Sequence, residues 1–97
     1  MKSEENAGLL ARYIELMSGD PKIKAIHMAI IMAIFHIAIE TSCFRTVQIS
    51  RRQVMGISHI KSIATYHRYL KELVLTGYLK YEPSYHPKIG SKAVLCL

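Results

Sequence analysis

The run AIHMAIIMAIFHIAI, Ala25 to Ile39, limits the fold more than any other part of the chain. It is apolar on every side of a helix except at His27 and His36. A membrane span needs about 20 such residues; this run has fifteen, and two are histidines. A helix that is apolar all round must be enclosed by protein. Ninety-seven residues make one domain, with no room for two independent cores. The expectation is a homodimer in which this helix and the one before it pack against their copies. The alternative is a central helix covered by the rest of its own chain.

The preceding helix is expected over residues 4–18, where Leu9, Leu10, Tyr13, Ile14, Leu16 and Met17 recur at roughly helical spacing and Gly19 offers a stop. Asp20 is then expected as the N-cap of the apolar helix, with Pro21 in its first turn, where the missing N–H costs nothing. Residues 1–44 thus form a helical packing region. Cys43 and Cys96 have neither CxxC nor metal spacing. With no secretory leader pattern, a reducing cytoplasm and two buried thiols are expected.

Charge divides the chain in two. From Met1 to Phe44 four basic residues face five acidic ones; from Arg45 to Leu97 nine face only Glu72 and Glu82. The whole excess behind the net charge of +6 lies in the second half. Such asymmetry favours an anionic partner for residues 45–97.

That half alternates short elements. RTVQIS (Arg45–Ser50) is β-branched and reads as a strand. Ser50 and Gln53 have capping-box spacing and open a short helix with Val54 and Ile57 inward. Ser58 to Lys61 turns, with Ile60 pointing inside, and Ser62 caps a further helix. There Ile63, Tyr66, Leu70, Leu73 and Val74 make the buried stripe, opposite Ala64, Arg68, Lys71 and Leu75. Thr65 and His67 lie on the flanks. Gly77 supplies a left-handed stop. YLKYEP and SKAVLCL read as two strands around the loop SYHPKIGS, where Gly90 allows the return turn and Lys88 and Lys92 stand at or beside the tip. The fold class is mainly α with a small β-hairpin, α+β.

The order strand, helix, turn, helix, hairpin resembles the winged helix-turn-helix family of DNA-binding proteins. The likeness covers residues 45–97, with two helices placed before it. It is carried by SIATYHRYLKELVLTGYLKY, which is similar to the family's recognition helix and first wing strand at Ser62, Thr65, Arg68, Leu70, Leu73 and Gly77. The run on through YEPSYHPKIGSKAVL is similar to small regulators carried on bacterial mobile elements. The resemblance implies double-stranded DNA as partner, read by a helix over about 62–76 and a wing over about 79–97.

The residues support that mechanism on their own terms. A B-DNA major groove, about 12 Å wide, admits one α-helix. That helix needs apolar residues behind it and short polar or basic ones at its N-terminal half. Ser62, Ala64, Thr65, His67, Arg68 and Lys71 meet the requirement, with Arg68 the candidate for a guanine. Arg51, Arg52 and Lys61 suit phosphates. Lys88 and Lys92, with His86, would let the hairpin reach backbone or minor groove.

Plainer roles stand beside these. Arg68 has Glu72 four residues on and would pair with it; Arg51 and Arg52 suit solvated surface; Tyr66 and Tyr69 suit the core; Tyr85 in the loop is freer. His59 and His67 have no further ligand at metal spacing, and His27 and His36 suit a satisfied core or an interface. No residue pattern marks a catalytic site, a cofactor, a metal set or a small-molecule pocket, so a non-enzyme is expected. A basic face could equally serve as a protein–protein adaptor for an acidic partner. A membrane-docking role for Ala25–Ile39 lacks the basic polar face it needs.

Overall fold

The computed structural model describes residues 2–84 and 90–97. Four helices and three strands follow one another as α1 (Lys2–Ser18), α2 (Ala25–Glu40), β1 (Thr46–Ile49), α3 (Arg51–Ser58), α4 (Ile63–Leu75), β2 (Leu79–Glu82) and β3 (Ser91–Leu95). The class is mainly α with a small antiparallel sheet. That sheet has three strands, not two, in the order β1-β3-β2. β1 closes on β3 with Val47 opposite Ala93, and β2 on β3 with Tyr81 opposite Ala93.

Alternation decides the faces of the sheet. Val47, Ile49, Leu79, Ala93 and Leu95 point into the core, while Gln48, Lys80, Glu82 and Lys92 are exposed. Gly90 leads into β3, but not as a left-handed turn. A Cβ there would stand 2.8 Å from the Ile49 carbonyl oxygen, so glycine is needed for close approach to β1. Gly77 does take the left-handed conformation, at φ +87°, as the stop after α4 requires.

The apolar helix is central. α2 packs on α1, α3, α4 and β1, and Ile30, Ile31, Ala33, Ile34, Phe35, Ile37 and Ala38 are buried by this one chain. Met32 and Ile39 stay 57% and 50% exposed. In α1 the residues facing it are Leu9, Tyr13 and Met17, while Ile14 and Leu16 remain out. Tyr13 ties the layers together. Its ring meets Phe35 edge-on at 5.4 Å, its hydroxyl donates to the Tyr78 carbonyl, and the same oxygen accepts from the Cys96 amide at 2.9 Å.

Two local expectations fail for identifiable reasons. Asp20 does not cap α2, because both its oxygens are spent elsewhere. One accepts from the Lys22 amide at 2.9 Å in a tight turn, and the other from the Tyr78 hydroxyl at 2.8 Å. The helix begins five residues later, after Lys24, whose ammonium has no lone pair to cap anything. His27 does half the work of a capping box by accepting the Lys24 amide on Nδ1 at 2.8 Å. Cys96 is not a buried thiol: it is exposed on the alternate face of its strand, and Cys43 is half-buried.

Candidate nucleic-acid interface

The two helices of the basic half begin as their sequences dictate. Ser50 Oγ accepts from the Gln53 amide and Gln53 Oε1 from the Ser50 amide, both at 3.1 Å, which closes the expected box at α3. His59 ends α3 in the left-handed conformation at φ 60°. Ile60 turns inward, and Ser62 Oγ accepts from the Thr65 amide at 3.2 Å to start α4. A short, anchored turn therefore fixes α4 relative to α3.

The phase of α4 differs from the expected stripe. Tyr66, Tyr69, Leu70 and Leu73 are buried as expected, but Ile63 and Val74 stay 49% and 38% exposed. The core lies on the Tyr69 side because α2 approaches there: the His27 ring meets Tyr69 edge-on at 4.8 Å. The outward face then carries Ala64, His67, Arg68, Lys71 and Leu75, all exposed. Thr65 turns half-buried toward the Glu72 flank. Leu75 is 74% exposed, and Ile57 of α3, expected inside, is 40% exposed, since α3 meets the core through Val54 and the half-buried Met55.

Arg51 and Arg52 in the first turn of α3 and Lys61 in the connecting turn are all exposed. The Tyr66 hydroxyl, within reach of the Arg51 charge, is buried without a hydrogen-bond partner among the described residues. Burial pushes that hydroxyl's pKa up to about 12. Lys92 stands opposite Glu82, in the last ladder pair before the loop, and level with Gln48 on the other side, on the face turned from the core with Lys80 exposed on that same face. Sequence reasoning passed over Lys80, although its place in the alternation after Leu79 marked it. Lys88, His86 and Tyr85 lie outside the described residues.

Arg68 has both the partner and the exposure foreseen. Its Nε lies 3.4 Å from Glu72 Oε2, its guanidinium carbon is 5.2 Å from the centre of the Tyr69 ring, and its side chain is 65% exposed. The pairing leaves its terminal amino groups outside that contact. Glu72 is also held from within. His27, 2% exposed, meets Glu72 Oε1 through Nε2 at 2.8 Å. Since Nδ1 accepts the Lys24 amide, Nε2 carries the proton and donates. That hydrogen bond first, and the Arg68 contact second, hold the Glu72 carboxyl below the usual carboxylate range. A chain of contacts thus runs from the start of α2 through His27 and Glu72 to Arg68 on the outer face. Nothing in the sequence signals it, since His27 and Glu72 are 45 residues apart.

His36 is not in the core of the chain: it is 56% exposed and 3.9 Å from Glu40. Among the described residues no three His, Cys, Asp or Glu side chains come together as a metal set. No helix among them is long and apolar enough to cross a membrane. An open cleft of about 330 Å³ lies behind α4, lined by Lys22, Lys24, His27, Glu72, Leu75 and Thr76. Its one carboxylate is already shared by His27 and Arg68. Compared with models of known families, with characterised proteins and with solved structures, the chain matches none.

Proposed function

We propose that the chain binds double-stranded DNA as a winged helix-turn-helix protein, with α4 in the major groove and the start of α3 on the backbone. The reading is of a homodimer that serves as a transcription regulator or an accessory factor of a mobile element. The observation that carries it is the exposed face of α4. Arg68 and Lys71 stand beside a small Ala64, and behind them Tyr66, Leu70 and Leu73 are locked in the core. A groove-reading helix needs that combination of rigid backing and an uncrowded cationic front.

The division of labour follows from side-chain chemistry. Arg68 offers its terminal amino groups to a guanine edge, while Glu72 and Tyr69 hold the rest of the guanidinium. Lys71, Lys61, Arg51 and Arg52 neutralise phosphates, the last two beside the outward amides of a helix start. Lys92 adds positive charge on the exposed face of β3. Two copies related by a two-fold axis would read a near-palindrome.

A second reading has its own support. Leu75, Ile63 and Ile57 are 74%, 49% and 40% exposed close to the same cations. A mixed apolar and basic surface suits an acidic protein partner, and the domain is then an adaptor.

Fluorescence anisotropy on duplexes from the flanks of the gene, titrated from about 50 to 300 mM salt, separates the two. Binding that survives nonspecific competitor, and that an Arg68→Ala, Lys71→Ala double variant loses, supports the DNA reading. Loss of Lys71 lowers the salt slope by about 1, and loss of Arg68 relaxes preference at one base pair, about 1–3 kcal/mol. A folded protein that stays unbound at the lowest salt overturns it and leaves the adaptor.

A further inference from the structure

The exposed residues of α2 have a spacing of their own. Ala25, Ala29, Met32, His36 and Ile39 follow one another in alternating steps of four and three. Ala25, Met32, His36 and Ile39 are exposed and Ala29 half-buried, whereas the opposite side of the helix is filled by α1, α3, α4 and β1. A stripe repeating every 3.5 residues is the seam by which one helix lies along another. A side of α2 that only faced solvent would carry mainly polar residues. Apart from His36 and the terminal Glu40, the exposed residues of α2 are alanine, methionine and isoleucine.

The charges at the ends of α2 say which helix fits. Lys24 precedes its first turn and Glu40 is its last residue. Both signs oppose the helix's own macrodipole, which favours acids at the start and bases at the end. A parallel copy would make this worse, setting lysine by lysine and glutamate by glutamate. An antiparallel copy reverses it.

We propose that α2 is the homodimer seam, packed antiparallel on the partner's α2 about a two-fold axis through Met32. The small Ala25 then lies against the partner's Ile39, and His36 against the partner's Met28–Ala29 stretch. Lys24 meets the partner's Glu40 at both ends. Small faces large in the Ala25 layers, the flexible Met32 side chains meet on the axis, and each end gains an opposite charge. Such a contact is isologous and closes on itself. The seam is about 24 Å long, from sixteen residues at 1.5 Å each, so the dimer is expected to dissociate in the micromolar range. This inference deepens the dimer part of the functional reading and is independent of the DNA part.

Cross-linking by position tests it. In a Cys43→Ser, Cys96→Ser background, single cysteines are placed at residues 25, 32 and 39 and oxidised mildly without DNA. The antiparallel seam predicts disulfide-linked dimers for Met32→Cys alone, and for Ala25→Cys only when mixed with Ile39→Cys. Equal cross-linking of each variant with itself means a parallel seam or random collision, and overturns the proposal.

Sedimentation supplies the second arm. Met32→Glu sets two carboxylates on the axis and is expected to give monomers with unchanged circular dichroism. Lys24→Glu and Glu40→Lys each weaken association by roughly two- to fivefold per pair, and combining them restores it. A wild-type chain that stays monomeric to high micromolar concentration overturns the seam. DNA binding by such a monomer would leave the groove-reading proposal standing.

Discussion

Helices α2 and α4 meet the same core and differ in what they leave outside it. α4 buries Tyr66, Tyr69, Leu70 and Leu73 and shows cations to solvent. α2 buries eight residues on α1, α3, α4 and β1 and still shows Met32, His36 and Ile39. The cations of α4 need nothing to cover them, although Ile63, Val74 and Leu75 are exposed beside them. An apolar remainder on α2 is surface the chain has not used, in a small domain with few elements to spare for it. The lesson is that an all-round apolar sequence gives a helix with many neighbours but does not say that every side has one.

The two sides of α2 give the sharpest test of that contrast. Ile34→Ala removes a fully buried side chain and is expected to cost about 2–5 kcal/mol by chemical denaturation. Met32→Ala, two residues earlier and 57% exposed, is expected to cost under about 0.5 kcal/mol in the monomer. Equal costs would mean that Met32 is covered already and would erase the difference between α2's faces.

Where α2 and α4 join, His27→Ala is expected to cost about 3 kcal/mol. It removes the hydrogen bond to Glu72, strips the Lys24 amide of its acceptor and takes away the ring against Tyr69. A melting temperature close to wild type would break the link between the helices drawn here.

The smallest effect is electrostatic. Glu72 and Asp20 are held below their ordinary values of 4.5 and 3.8, Glu72 chiefly by His27 and Asp20 chiefly by the Lys22 amide. With folded pKa values depressed, the unfolded chain takes up these protons first as pH falls. The stability they contribute is whole above about pH 5 and is lost as pH drops through the folded values. Melting temperature should therefore decline in that acid range, and Glu72→Gln should make the decline shallower. An unchanged slope would show that Glu72 is not engaged by His27 in solution.

Local chemistry made much of the fold readable in advance. Ser50 with Gln53, Ser62 with Thr65, and Gly77 each act over three or four residues, so caps and stops fell where the sequence put them. The candidate face was partly legible for the same reason. Ala64, His67, Arg68 and Lys71 are exposed, since three-and-a-half-residue periodicity separates them from Tyr66 and Leu70. The reading failed where two distant segments compete for one group. Asp20 was lost as a cap to Tyr78, 58 residues away, and Ile63 and Val74 lost their burial to Tyr69 because α2 arrives from that side.

By itself, the sequence determined the element order, the starts of α3 and α4 and the concentration of positive charge after Arg45. These follow from backbone hydrogen bonding and hydrophobic period, which act within a few residues. Tertiary structure alone decided the rotation of α4, the place of Lys92 between Gln48 and Glu82, the closeness of Gly90 to Ile49 and the link from His27 to Glu72. Each of these depends on which remote surface reaches a side chain first, and that is settled only when the layers pack.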